Sequence, residues 1–317
     1  MIGRVVSFNG TFVPESEARV SIFDSALIFG DMAFEMTRTF NGTPFRLRQH
    51  LERLYASLRL IEVDSGLPID EMEELTLETL ARNQSTEAEN VDWQIMHNVS
   101  CGPLPIYKSV FADGLRPTVS INCWPLITLM GSFAPNYRTG VQLVVPSQRA
   151  IPADLLDPRA KTRSRLHYRT ALLQGARMGA DVWPLMLDPD GYIAEGPGWN
   201  VMLVKNGELL SPEPRNILQG VSRDVSRDLA GQLGIPMRET NLAVYDALQA
   251  DEIFCTATTY CLVHAVSFEG RTIGDGRPGP VFSRLMDAWK KLAGVDFVAQ
   301  AHSYSDILAD WEARQRP

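Results

Sequence analysis

The sequence predicts an α+β protein of two domains, and three observations carry that reading. Its 317 residues exceed what one small core requires and suit two domains. Four Asn-Gly or Asp-Gly pairs interrupt alternating apolar runs, the mark of tight β-hairpins, because these pairs tolerate the positive φ angles such turns demand. Between the strands, apolar residues recur every three or four positions, which marks amphipathic helices.

In chain order, Asn9-Gly10 separates RVVSF from TFVP and Asn41-Gly42 separates FEMTRTF from TPFRL. Leu47, Leu51, Leu54 and Leu58 then predict a helix. Strand-like runs follow at 91–100, 117–124 and 140–146. Residues 127–138 (ITLMGSFAPNYR) break both periods and read as a linker. We therefore expect an N-terminal α+β domain over residues 1–127, a linker over 128–138 and a larger strand-rich domain over 139–317. In the second domain Asp190-Gly191 divides VWPLML from YIAEG, and Asn206-Gly207 divides NVMLVK from ELLSP. Val221, Val225, Leu229 and Leu233 predict a helix, residues 251–257 and 261–268 two strands, and Val281, Leu285, Trp289 and Leu292 a further helix. The plain reading of each stripe is core packing.

Composition narrows the function. Hydrophobic residues make up 45% and charged residues 21%, the balance of an ordinary soluble globular protein. No apolar run reaches membrane-spanning length, and the segment MIGRVVSFNGTFVPE lacks the apolar block of a signal peptide. A net charge of −8 offers nothing to nucleic acid or to an anionic membrane. Four cysteines without paired spacing suit a reducing compartment and argue against disulfides and zinc. A cytoplasmic protein with small-molecule partners and copies of itself is expected. No metal is expected, since HExxH is missing and the five histidines lack ligand spacing. GxSxG is also missing, and GDGRPG at 274–279 carries Pro278 where a dinucleotide loop needs a clean entry into a helix, so it reads as a surface turn.

Two local features invite chemistry but leave alternatives open. Glu195, in GYIAEGPGWN, is either solvated at a strand end or buried against a cationic partner. LQGVSR at 218–223 leads a glycine into a helix start, where free amide N–H groups suit a phosphate; helix capping by Ser222 explains the same pattern.

Taken together the motifs resemble the class IV (fold type IV) aminotransferases, whose cofactor is pyridoxal 5′-phosphate (PLP). The resemblance runs from about residue 3 to about residue 290. It covers VSFNGTFVPESEARVSIFDSALIFGD, FEMTRTFNGTPFRLRQHLERLYAS, Lys161, GARMGADVWPLMLDPDGYIAEGPGWNVMLVKNGELLSP, NILQGVSR, ADEIFCTATT and DGRPGPV. Lys161 and Glu195, 34 residues apart, match the Schiff-base lysine and the pyridine-nitrogen carboxylate. The resemblance further implies Arg53, Val221, Ser222 and Thr258 as phosphate ligands, and Phe34, Arg38 and Thr259 as substrate residues. It implies a small α+β domain, a β-barrel-like C-terminal domain, a homodimer, and ping-pong transfer between an amine or amino acid and a 2-oxo acid.

Departures from the pattern bear on the substrate. Leu166 stands where many relatives carry a tyrosine five residues after the lysine. KTRSRL resembles the D-amino-acid aminotransferases and the aminodeoxychorismate lyases, and Arg165 matches the lyases, the alternative activity. Glu35 weighs against the lyases, which tend to have threonine there. Cys101 replaces the carboxylate-binding arginine of the D-specific enzymes. Arg38 is either a carboxylate ligand or a strand-edge charge. SIFDSALIFGD with NGTPFRLRQHLERL is also similar to the (R)-selective amine transaminases.

Overall fold

The computed structural model describes residues 3–85, 91–112 and 114–315, with side chains described to residue 310. Met1 and Ile2, at the head of the segment MIGRVVSFNGTFVPE, lie outside the described residues. Contacts divide the chain into two units: residues 1–126 with 160–164, and residues 127–159 with 165–317.

The first unit is one six-stranded sheet backed by helices. Its elements are β1 (Val5–Phe8), β2 (Thr11–Pro14), the short α1 (Ser25–Ile28), β3 (Ala33–Phe40), β4 (Thr43–Pro44), α2 (Leu47–Leu60), α3 (Ile69–Gln84), β5 (Trp93–Ser100) and β6 (Thr118–Pro125). The strand order is β2-β1-β6-β5-β3-β4. Both expected hairpins form, with Asn9, Gly10, Asn41 and Gly42 all at positive φ. Residue alternation sends Ala33, Ile95, Val99, Ile121 and Cys123 into a core closed by Leu47, Leu51, Leu54 and Leu58 of α2. The leucine stripe thus packs as its period predicts. The sequence pattern does not reveal α3, because its buried face mixes Met72 and Leu80 with Thr76, Thr79 and Asn83. Those polar groups bond inward instead: Asn83 exchanges hydrogen bonds with the backbone of Val5, at 3.0 and 2.9 Å.

The second unit contains α4 (Ile127–Phe133), α5 (Pro135–Thr139), β7 (Val141–Val144), α6 (Leu166–Met178), β8 (Val182–Pro184), β9 (Glu195–Gly196), β10 (Trp199–Lys205), β11 (Glu208–Pro212), α7 (Val221–Gln232), β12 (Met237–Thr240), α8 (Val244–Leu248), β13 (Glu252–Ala257), β14 (Cys261–Phe268), β15 (Arg271–Thr272), α9 (Pro280–Ala293) and α10 (Phe297–Gln315). Its hydrogen-bonded path runs β12-β11-β10-β13-β14-β7-β8, with β9 against β10 and β15 against β14. Residues 274–279 form a turn in which Gly274 and Gly276 take positive φ.

Two expectations are corrected. Residues 128–138 are not a linker: α4 and α5 occupy them, and α4 packs on α10. Gly131 interrupts the apolar period there because the helices approach closely; a Cβ on it would lie 2.8 Å from the Tyr304 carbonyl oxygen. In α9, Val281, Leu285 and Trp289 are buried, but the stripe ends on Ala293 and leaves Leu292 exposed.

His97, buried in β5, places Nε2 2.8 Å from the Thr76 hydroxyl. Burial lowers its pKa to about 4. Because the unfolded chain then takes up the proton first, stability is complete above about pH 6.5 and is lost as pH falls toward 4, by up to about 3 kcal/mol. His50, also lowered by burial, acts in the same direction. Urea titrations across this pH range should show that loss, and His97→Gln should reduce its slope.

Candidate active site

Residues 160–164 belong to the first unit, although the sequence assigns them to the second domain. The cause is a short antiparallel pairing with the start of β3. The Phe34 N–H donates to the Lys161 carbonyl (3.0 Å), the Arg163 N–H donates to the Met32 carbonyl (2.8 Å), and Ala33 bridges Thr162. The Lys161 N–H donates in turn to Ser57 Oγ (3.0 Å), on α2. The Lys161 backbone is thus pinned on both sides, and its Nζ sits 4.8 Å from the centre of the buried Phe34 ring.

One turn of α2 before Ser57, Arg53 projects against Glu35 of β3. Its Nε and Nη2 donate to the two Glu35 oxygens at 2.8 and 2.6 Å, the fork geometry that suits a carboxylate. Glu35 is fully buried. Burial alone would push its carboxyl up, but Arg53 and then His50 outweigh burial and hold it well below the usual carboxylate range. His50 Nδ1 lies 3.1 Å from Glu35 Oε1 without hydrogen-bond alignment. Arg38, a sequence candidate for substrate, is buried, stacks on Phe40 at 4.2 Å, donates to the Thr39 carbonyl and faces Asp92 at 3.9 Å. All three contacts lie toward the end of β3 remote from Phe34, about 13 Å of strand away. That placement makes Asp92 an internal ion-pair partner of Arg38. Cys101 is exposed, with Sγ 3.0 Å from the Ser25 hydroxyl.

In the second unit Glu195 is buried, which removes the solvated alternative, and three of its hydrogen-bond donors are neutral groups. Tyr168 of α6 donates its hydroxyl to Oε1 (2.5 Å), while Asn200 Nδ2 (3.2 Å) and the Leu218 N–H (3.0 Å) donate to Oε2. Burial, then the Glu195 charge, raises the Tyr168 pKa well above its ordinary value, so the phenol keeps its proton and donates. Asn200 stands opposite Glu195 in the β9–β10 pair and also donates to the Leu218 carbonyl at 2.9 Å. This ties the carboxylate to the start of α7. Gly220 precedes that helix, and a Cβ on it would lie 2.1 Å from Asn200 Oδ1. Val221 and Ser222 open α7 with buried side chains; the N-cap residue is Gly220 and not Ser222. Thr258 and Thr259 occupy the turn between β13 and β14, closed by Cys261 at positive φ. Nearby in β13, the buried Thr256 hydroxyl, opposite Asn200, has no hydrogen-bond partner. No group of three or more metal-ligating side chains and no helix long and apolar enough to cross a membrane occurs among the described residues.

Residues 32–268 match the family model for amino-transferase class IV. The chain belongs to that family. A putative branched-chain-amino-acid aminotransferase of Methanocaldococcus jannaschii is 33% identical over 288 residues, which is 90% of this chain and 96% of that protein. The branched-chain-amino-acid aminotransferase of Escherichia coli strain K12 is 30% identical over 289 residues, 89% and 90% of the two chains. Among solved structures, a branched-chain amino acid aminotransferase with pyridoxamine 5′-phosphate matches with a TM-score of 0.80 at 27% identity, over 92% of this chain and 94% of its own. The expected fold is therefore correct. This class IV aminotransferase is a transaminase that works with PLP.

Sequence reasoning missed Tyr168, Asn200, Ser57 and His50. Asn200 was within reach, because the Gly-Pro-Gly turn after Glu195 fixes which residue comes back opposite it. Tyr168 carried no signal: it sits two positions beyond Leu166, where the family pattern directs attention, and only the path of α6 brings it to Glu195. Arg53 has a structural duty that the sequence did not disclose. Arg53→Ala should cost about 3–5 kcal/mol in urea unfolding of the cofactor-free enzyme, because it strands the buried Glu35 carboxylate. Adding Glu35→Gln should recover part of that loss.

Proposed function

We propose that Lys161 is the residue that bears PLP, and that the enzyme moves an amino group between an amino acid and a 2-oxo acid in two half-reactions. The observation that supports this most is the clamp on Lys161, whose backbone N–H and carbonyl are both engaged while its amine lies over Phe34. Such restraint holds an amine ready to attack a carbonyl and afterwards to carry the proton at the substrate Cα.

The residues present fit the cofactor. A buried carboxylate with three donors, Glu195, is chemically suited to a protonated pyridine nitrogen. Arg53, oriented by Glu35, supplies a guanidinium for the phosphate, and the amides of Val221 and Ser222 with the Thr258 hydroxyl supply further donors. The orphaned Thr256 hydroxyl in the neighbouring strand is consistent with a polar group bound there. When bound, PLP supplies the electron sink that makes the substrate Cα–H acidic. Lys161 moves the proton, Glu195 keeps the ring nitrogen charged, and Tyr168 keeps Glu195 in place.

Phe34 and Thr259 line the substrate, and Met36 and Met96, paired on the Phe34 side of the sheet, add an apolar wall. With relatives named for branched-chain amino acids, this favours donors with apolar side chains. Carboxylate-free amines form a second reading, favoured by the neutral Cys101. The working unit is a homodimer in the cytoplasm. Supporting it, Ile22, Leu27, Phe29, Ile106 and Val110 lie exposed on segments joined by the Phe23–Tyr107 ring contact, an apolar area of the kind subunits cover. The four cysteines are free, as a reducing compartment requires.

Borohydride reduction of the yellow holoenzyme, followed by peptide mapping, should place the cofactor on Lys161; a label on another lysine sinks the assignment. A donor alone should bleach the visible band, and a 2-oxo acid should restore it. Glu195→Gln should retain the cofactor yet slow the first half-reaction by at least about tenfold, and a wild-type rate would remove Glu195 from the ring nitrogen. Light scattering should return twice the chain mass.

A further inference from the structure

Arg163 stands in an arrangement that the mechanism above does not use. In the antiparallel register of residues 161–163 against β3, Lys161 lies opposite Phe34 and Arg163 opposite Met32. Both side chains therefore project on the Phe34 side of the sheet. The Arg163 guanidinium covers the Phe34 ring at 3.8 Å, and the Lys161 amine lies 4.8 Å from the centre of the same ring. Arg163 Nη2 donates to Asn98 Oδ1 at 2.7 Å and lies 2.9 Å from Met96 Sδ. Asn98 is the residue paired with Phe34 on β5. An amide, a thioether and an aromatic face are thus among the groups that hold this guanidinium, which shares the Phe34 ring with the amine and sits on a residue that is itself exposed.

In an amino acid the carboxylate hangs from the same carbon as the amino group. A substrate whose nitrogen replaces the Lys161 amine must therefore carry its carboxylate close to that amine. The other sequence candidates do not serve it: Arg38 faces Asp92 at the far end of β3, and Cys101 is a neutral thiol. We propose that Arg163 recognises the carboxylate of the amino-acid and 2-oxo-acid substrates and sets the preference of this enzyme for donors that carry one. The proposal rests on Lys161 being the PLP-bearing residue.

The test uses the holoenzyme and the variants Arg163→Met and Arg163→Gln, the second keeping a hydrogen-bond donor toward Asn98. 4-Methylvalerate, a carboxylate with an apolar chain and no amine, is titrated while the visible band and the heat of binding are followed. The expected result is an increase in its Kd of about tenfold or more in both variants, with the wild-type affinity weakening as salt rises. In parallel, the ratio of half-reaction specificity for an amino acid over the amine lacking only its carboxylate should fall by a similar factor. An unchanged Kd, or equal losses for the acid and the amine, overturns the proposal and leaves Arg163 as a cover for Phe34. Should one variant fail to fold, the other decides. Borohydride mapping separates the two layers of the argument. A label on Lys161 with an unchanged ratio refutes Arg163 alone, whereas a label elsewhere removes the reading beneath it.

Discussion

Backbone hydrogen bonds between residues 161–163 and the start of β3 set the chemistry of the first unit. Strand pairing has a period of two, so a slip of one residue would turn Lys161 and Arg163 to the opposite side of the sheet. That side carries Ala33 and Glu35 and is filled by the core. Register, rather than the lysine itself, places the amine over Phe34. Ser57 reinforces it from α2, where its hydroxyl takes the Lys161 N–H and itself donates to the Arg53 carbonyl at 2.9 Å. The turn of helix that presents Arg53 is thereby coupled to the segment that presents Lys161.

A buried charge pair stands behind the same surface. Glu35 lies fully inside the first unit, a costly position for a carboxylate, and is held ionised by Arg53 and assisted by His50. Such a pair contributes little net stability but strongly penalises the loss of one partner. Its value here is orientation: the carboxylate holds two donors of the Arg53 guanidinium in a fixed plane. In the second unit Glu195 is restrained in another way, by a phenol, an amide and a backbone N–H. Through Asn200 and Leu218 it is joined to the loop that starts α7. Gly220 is required in that loop by space, since any side chain would displace Asn200.

Elements whose side chains repeat cleanly were legible in the sequence. The leucines of α2 and the valines that open α7 bury one apolar face each, and the Asn-Gly turns adopt the positive φ angles their residues permit. The illegible elements share a cause. In α3 the buried face is half polar, in α4 a glycine at a helix contact breaks the period, and in α6 only Ala171 and Gly175 are fully buried. Hydrophobic periodicity reports burial of apolar side chains, so helices that bury hydroxyls, amides or bare backbone leave no such trace.

By itself the sequence determined the family and the cofactor, because the ordered motifs around Lys161 and Glu195 are local runs of sequence with fixed spacing. Tertiary structure alone decided which groups touch. It moved Lys161 into the first unit, gave Arg53 to Glu35, turned Arg38 toward Asp92, brought Tyr168 to Glu195 and laid Arg163 over the same Phe34 ring as the Lys161 amine. The physical reason is that strand register and helix direction are set by packing across many residues, so the partner of a charged group is chosen by the fold and not by its neighbours along the chain.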